Sequence, residues 1–177
     1  MNTLILVRHG QSIWNLERRF TGWADVNLTK KGEAEAKYSG ELINKLNIEF
    51  NTFFTSFQKR ATDTLKIILD VLNKKNSEIK QAWQLNERNY GALTGLNKDE
   101  IIKKHGKNQV QIWRRSFDIP PPPMDLSNPY HPTKNKIYSN IPVGKIPDSE
   151  SLKNTFERVV PYYEKKIEPL ILSKKNV

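Results

Sequence analysis

Thr3-Leu4-Ile5-Leu6-Val7-Arg8-His9-Gly10 opens the chain with an unbroken apolar run that ends on an arginine, a histidine and a glycine. An apolar run without polar alternation is the pattern of a strand buried on both faces of a parallel sheet. The next segments repeat the logic of such a sheet. Thr29 is placed to cap a helix over Lys30–Leu46, in which Ala34, Tyr38, Leu42 and Leu46 recur at every fourth position. Asn51–Thr55 fits a second strand. Ala61, Leu65, Ile68, Leu69 and Leu72 mark one face of a helix over Lys59–Leu72, and Ile79–Leu85 fits a third strand. Strand, helix, strand, helix, strand is the order of an α/β fold with a mostly parallel sheet and helices on both faces. Ligands of such sheets bind beyond the carboxyl ends of the strands, which would gather Arg8, His9, residues 56–60 and Glu87.

Further along, Asp99–His105 reads as a short helix stopped by Gly106, and Asn108–Phe117 as another that ends before Pro120–Pro123. Pro120–Pro147 reads as a long irregular loop. Helical patterning resumes near Ser149 with Leu152, Phe156, Val159, Val160, Tyr163 and Ile167, despite Pro161. We expect a single domain over residues 1–177, with residues 98–148 as a helical and proline-rich insertion.

A chain of 177 residues suffices to bury a core, and 37% hydrophobic with 27% charged residues excludes a disordered composition. Cysteine is absent, which excludes disulfide, thiolate and zinc-thiolate chemistry. The opening apolar run is too short for a signal-peptide core or a membrane span, so the expected compartment is the cytoplasm. The net charge of +10 suits an anionic partner such as nucleic acid, an acidic membrane surface or a phosphorylated metabolite. Scattered lysine pairs such as Lys30-Lys31 and Lys103-Lys104, with no long basic run and no RNA-binding aromatic signature, argue against nucleic acid.

An imidazole directly after a buried strand can present a nucleophilic nitrogen at the sheet edge while the preceding guanidinium holds a phosphoryl group. Leu6-Val7-Arg8-His9-Gly10-Gln11-Ser12-Ile13-Trp14-Asn15 has this arrangement and resembles the opening motif of the histidine phosphatase superfamily. Four later runs narrow the resemblance to its cofactor-dependent phosphoglycerate mutases. They are Phe20-Thr21-Gly22-Trp23, Thr55-Ser56-Phe57-Gln58-Lys59-Arg60-Ala61, Leu85-Asn86-Glu87-Arg88-Asn89-Tyr90-Gly91 and Thr94-Gly95-Leu96-Asn97-Lys98. Trp113-Arg114-Arg115 and Glu150-Ser151-Leu152 extend it, so that it spans nearly the whole chain in order.

The resemblance implies a phosphoglycerate mutase-like fold and the interconversion of 2- and 3-phosphoglycerate in glycolysis and gluconeogenesis. His9 would take up the phosphoryl group from the primer 2,3-bisphosphoglycerate, with Arg8 and Arg60 supplying positive charge and Glu87 acting as acid and base. Ser12, Asn15, Thr21 and Gly22 would complete the phosphate cradle. Arg88, Tyr90, Lys98, Arg114 and Arg115 would bind the carboxylate and distal phosphate of the substrate. No metal is implied. The partners would be small phosphoglycerates rather than nucleic acid or a membrane.

The resemblance also implies a second active-site histidine in an Ala-His-Gly-Asn-Ser-Leu-Arg type segment after a further strand. His105 and His131 match neither its position nor its neighbours, and Lys174–Val177 reads as the approach to that strand. The expectation is therefore a chain lacking the C-terminal strand and helices, with activity reduced or absent. Its sheet edge and apolar face would be left uncovered, which a second copy could fill as a homo-oligomer. Lesser departures are Gln11, where relatives usually carry glutamate, and Phe57-Gln58, where an apolar residue commonly precedes the basic one; neither is expected to touch the chemistry. Two alternatives stay open: a broad phosphatase of the same superfamily, and a catalytically inactive phosphoglycerate-binding remnant.

Overall fold

The computed structural model describes residues 2–177. Two short strands, β1 (Phe53–Thr55) and β2 (Ile79–Gln81), pair in parallel with Phe53 opposite Ile79 and Thr55 opposite Gln81. Helix α3 (Lys59–Val71) connects them, and α2 (Lys30–Asn44) packs on α3. The short α1 (Ile13–Leu16) precedes them. After the sheet come α4 (Lys98–His105) and α5 (Lys107–Arg115), then α6 (Leu152–Tyr162), a π-helical stretch at Tyr163–Ile167, and α7 (Glu168–Leu172). Pro161 and Pro169 each remove an N–H from this last ladder, and the widened π turn lies between them. The α/β class expected from the sequence is the class observed.

Thr29 caps α2 as expected, its hydroxyl accepting from Gly32 N at 3.1 Å. The buried side of that helix is another matter. Tyr38, Leu42 and Leu46, expected from their spacing to face the core, are exposed, and the side turned inward carries Gly32, Ala36 and Gly40. Small residues win there because they let α2 approach close to its neighbours, with Val71 of α3 lying against Gly40. Gly32 meets the opening segment in the same way: a Cβ on Gly10 would overlap the Gly32 carbonyl, and one on Gly32 would overlap the Gln11 carbonyl. Gly10 N also donates to Thr64 Oγ1 of α3 at 3.2 Å. The turn that carries His9 is thus clamped on both helices.

The expected first strand does not form as such. Residues 3–5 are bridged to the last two residues, Val177 N donating to Thr3 O at 3.0 Å, Ile5 N to Val177 O at 2.9 Å and Thr3 N to Asn176 Oδ1 at 3.0 Å, while Leu6 is 85% exposed. Residues 4–9 stand as one wall of a cavity of about 570 Å³ whose other wall is residues 52–56, with Leu65, Ile68 and Ile167 among the apolar residues between. A strand is defined by hydrogen-bonded neighbours, and across this gap Leu6 and Val7 have none among the described residues. The third expected strand is shorter than Ile79–Leu85, because the chain leaves the sheet after Gln81 and turns through a 3₁₀ segment at Trp83–Leu85.

The proline-rich stretch is irregular yet packed. Pro121, Met124 and Pro132 are buried, and Tyr138 sits against Trp23 with its hydroxyl donating to Trp23 O at 2.8 Å. Inside α6, Arg158 forms a buried fork with Glu150, at 2.6 and 2.9 Å, and donates to the carbonyls of Gln84 and Glu87. Glu150 in turn accepts from Asn89 N at 2.8 Å. This pair pins the segment that carries Glu87.

Candidate active site

Arg60 organises the site. It is fully buried in the first turn of α3, where it donates through Nη1 to Ala24 O (3.0 Å) and through Nη2 to Gly22 O (2.9 Å) and Glu87 Oε2 (2.7 Å). Its Nε donates to His9 Nε2 at 3.2 Å. The other ring nitrogen, Nδ1, lies 2.7 Å from Gly10 O, an acceptor only, so Nδ1 carries the proton and Nε2 the free electron pair. One guanidinium therefore touches a nucleophilic nitrogen on one side and a carboxylate on the other. Gly22, whose φ of +54° few other residues tolerate, turns its carbonyl to that guanidinium.

Burial, with the Arg60 and Arg8 charges adding to it, holds the His9 imidazole below its ordinary value, against the pull of the Gly10 carbonyl and Glu87. His9 is accordingly neutral at pH 7, as a nucleophile must be. Because the unfolded chain takes this proton more readily, its effect on stability is nil above about pH 6.5 and unfavourable as the pH falls from there through the folded value. The His9 C2 proton, followed by NMR, should titrate with a midpoint below 6.5. A midpoint at or above it would contradict the neutral nucleophile.

Lys98, at the start of α4, is half-buried, and burial, reinforced by Arg114, Arg18 and Arg8, lowers its pKa while Glu87 opposes the shift. Arg8 is exposed at the rim, close enough to bias both His9 and Lys98. Arg88 is buried, donates to Arg114 O at 2.9 Å, stacks 4.8 Å over the Tyr90 ring, and leaves its Nη1 without a partner. Arg8, His9, Arg60, Glu87, Lys98 and Arg114 thus share one electrostatic neighbourhood, with Gly22 at its floor, Thr21 buried beside it, and Arg88 and Tyr90 joined to it through Arg114. Three expected residues are not drawn into it by any contact. Ser12 and Asn15 bond to each other across the start of α1, each accepting from the other's backbone N–H, and Arg115 is exposed at the end of α5. His105 lies edge-on to Trp113, and His131 is buried with Thr133 and Asp148, so neither faces His9.

Two contributors are not evident from the sequence. Arg158 supports Glu87 from 71 residues away, a contact no local pattern announces. Gln58, expected to lie apart from the chemistry, is buried, with Nε2 donating to Gly22 O at 2.7 Å and Oε1 accepting from Glu87 N at 3.0 Å. Its signal in the sequence is a polar residue at a position where an apolar one is common.

Chemically, a neutral imidazole with an available electron pair among several cations is suited to receive an anionic phosphoryl group, and a carboxylate beside it can exchange protons with the oxygen it joins or leaves. Comparison with known proteins agrees. The histidine phosphatase superfamily (branch 1) matches residues 4–131. A 2,3-bisphosphoglycerate-dependent phosphoglycerate mutase of Pelagibacter ubique (strain HTCC1062) is 52% identical over 177 residues, the whole of this chain and 74% of that protein. One of Hydrogenobaculum sp. (strain Y04AAS1) is 48% identical over 98% of this chain and 70% of its own length. Among solved structures, phosphoglycerate mutase from Bacillus anthracis str. Sterne superposes with a TM-score of 0.71 over 99% of this chain and 71% of that one, at 22% identity. Bacillus stearothermophilus YhfR gives 0.68 over 96% and 69%, at 23% identity. No helix of the described residues is long and apolar enough to cross a membrane.

Proposed function

Because the chain belongs to the histidine phosphatase superfamily, and within it to the 2,3-bisphosphoglycerate-dependent phosphoglycerate mutases, we propose that it moves a phosphoryl group between the 2- and 3-positions of glycerate through a phosphohistidine on His9. The observation that carries this reading is the double contact of Arg60, which holds His9 Nε2 and the Glu87 carboxylate on one buried cation. 2,3-Bisphosphoglycerate supplies the first phosphoryl group. Once His9 is phosphorylated, Glu87 accepts the proton of the 2-hydroxyl of 3-phosphoglycerate as that oxygen bonds to phosphorus and the N–P bond breaks. In the second half, His9 Nε2 attacks the 3-phosphate, the P–O bond breaks, and Glu87 returns the proton to the leaving oxygen. Before Nε2 attacks a phosphate, its electron pair must be released from Arg60 Nε, and an incoming phosphoryl oxygen is the natural new acceptor for that donor. Arg8, Lys98 and Arg114 neutralise substrate charge, and the unpartnered Arg88 Nη1 offers a further donor.

Uptake and onward transfer differ in what they ask of the site. With His105 and His131 engaged elsewhere, no second imidazole faces His9 among the described residues, so these 177 residues by themselves should accept phosphoryl groups and pass them on slowly. Feeding 3-phosphoglycerate with a trace of bisphosphoglycerate tests the assignment. The expected product is 2-phosphoglycerate, at a reduced rate, without matching release of inorganic phosphate. Phosphate release without isomerisation would make the protein a phosphatase of the same superfamily and overturn the reading.

A further inference from the structure

Gln58 occupies a place that the mechanism does not use. It precedes α3 in extended conformation, its side chain is 2% exposed, and its amide joins two segments that the catalytic scheme needs in fixed relation. On one side Nε2 donates to Gly22 O (2.7 Å), and on the other Oε1 accepts from Glu87 N (3.0 Å). The orientation of the amide is not free: Gly22 O can only accept and Glu87 N–H can only donate, so a flipped amide would lose both bonds. Two residues on, Arg60 binds the same Gly22 oxygen and the carboxylate of the same glutamate. Glu87 is therefore gripped twice from the start of α3, at its backbone by Gln58 and at its carboxylate by Arg60.

We propose that Gln58 is a positioning residue for Glu87, setting the reach of that carboxylate toward the phosphoryl-bearing oxygen, and that this chain does with a side-chain amide what an apolar residue at this position cannot. The proposal rests on the reading of Glu87 as the acid and base. A leucine would occupy similar space, yet it would leave the Glu87 N–H without its acceptor and Gly22 O with one donor instead of two. Gln58 touches no reacting atom, so its loss should lower the rate of proton-coupled transfer and leave substrate affinity alone.

Two readouts test it, one of which needs no activity. In the unaltered protein the Glu87 amide should be protected from hydrogen exchange. Gln58→Leu should speed that exchange about tenfold, the rate equivalent of one net hydrogen bond. In parallel, the limiting rate of label uptake on His9 from 2,3-bisphosphoglycerate should fall about tenfold in Gln58→Leu at an unchanged half-saturating concentration. Unchanged exchange at Glu87 in Gln58→Leu would overturn the proposal, as would a half-saturating concentration that rises with no fall in the limiting rate. Failure of the unaltered protein to take up any label would refute the proposed function instead, while the exchange measurement would still decide the role of Gln58.

Discussion

Replacing His9 by alanine should reduce phosphoryl uptake from labelled 2,3-bisphosphoglycerate to background, whereas the unaltered protein should acquire label that is acid-labile and base-stable, as a phosphohistidine is. This is the largest functional effect the structure foretells, because no other described side chain combines a neutral nucleophilic nitrogen with the cations of the site. Phosphoryl transfer passes through a loose transition state governed by positioning and electrostatics, so removing the attacking atom cannot be offset by the cradle that remains. A chase with unlabelled 3-phosphoglycerate should remove label from the unaltered protein slowly. Label that persists in His9→Ala would refute the nucleophile assignment outright, and peptide mapping would show which residue carries it.

The nucleophile is legible in the sequence because its neighbours lie in short contiguous runs: Arg8-His9-Gly10 and Glu87-Arg88-Asn89-Tyr90 carry their chemistry locally. The helix start at Thr29 is legible for a similar reason, since a capping hydroxyl acts within three residues. The buried side of α2 is not. Hydrophobic periodicity selects Ala34, Tyr38, Leu42 and Leu46, but the packed face runs through Gly32, Ala36 and Gly40, offset by two positions or about 200° around the helix, because backbone approach favours small residues over side-chain hydrophobicity. The opening strand fails for another reason: an apolar run states a tendency, and only a neighbouring strand makes it a strand. The support given to Glu87 by Gln58 and Arg158 comes from 29 and 71 residues away, and no periodicity encodes such contacts.

Arg60→Met should be the most destabilising single change at the site. The thioether keeps much of the stem volume, so the loss falls on polar partners. Ala24 O loses its donor, Gly22 O keeps only Gln58, and the Glu87 carboxylate loses its ion pair. Breaking a buried pair by deleting one partner costs roughly 3–5 kcal/mol. The Glu87 side chain is 34% exposed, and water recovers part of its share, which puts the expectation near the lower end, about 3 kcal/mol. With a urea slope of about 1–3 kcal/mol/M for a protein of this size, the unfolding midpoint should drop by about 1–3 M. A double change of Arg60→Met with Glu87→Leu separates the causes, because it removes the stranded carboxylate together with its partner. It should be less destabilised than the sum of the two single changes, with a coupling of about 0.5–3 kcal/mol. Arg60→Lys retains the charge without the fork that spans Gly22, Ala24, Glu87 and His9, so it should regain part of the stability and little of the label uptake. An Arg60→Met protein that unfolds at the same urea concentration as the unaltered chain would show that the buried guanidinium contributes nothing net to the fold, and that its place between His9 and Glu87 is maintained for catalysis alone.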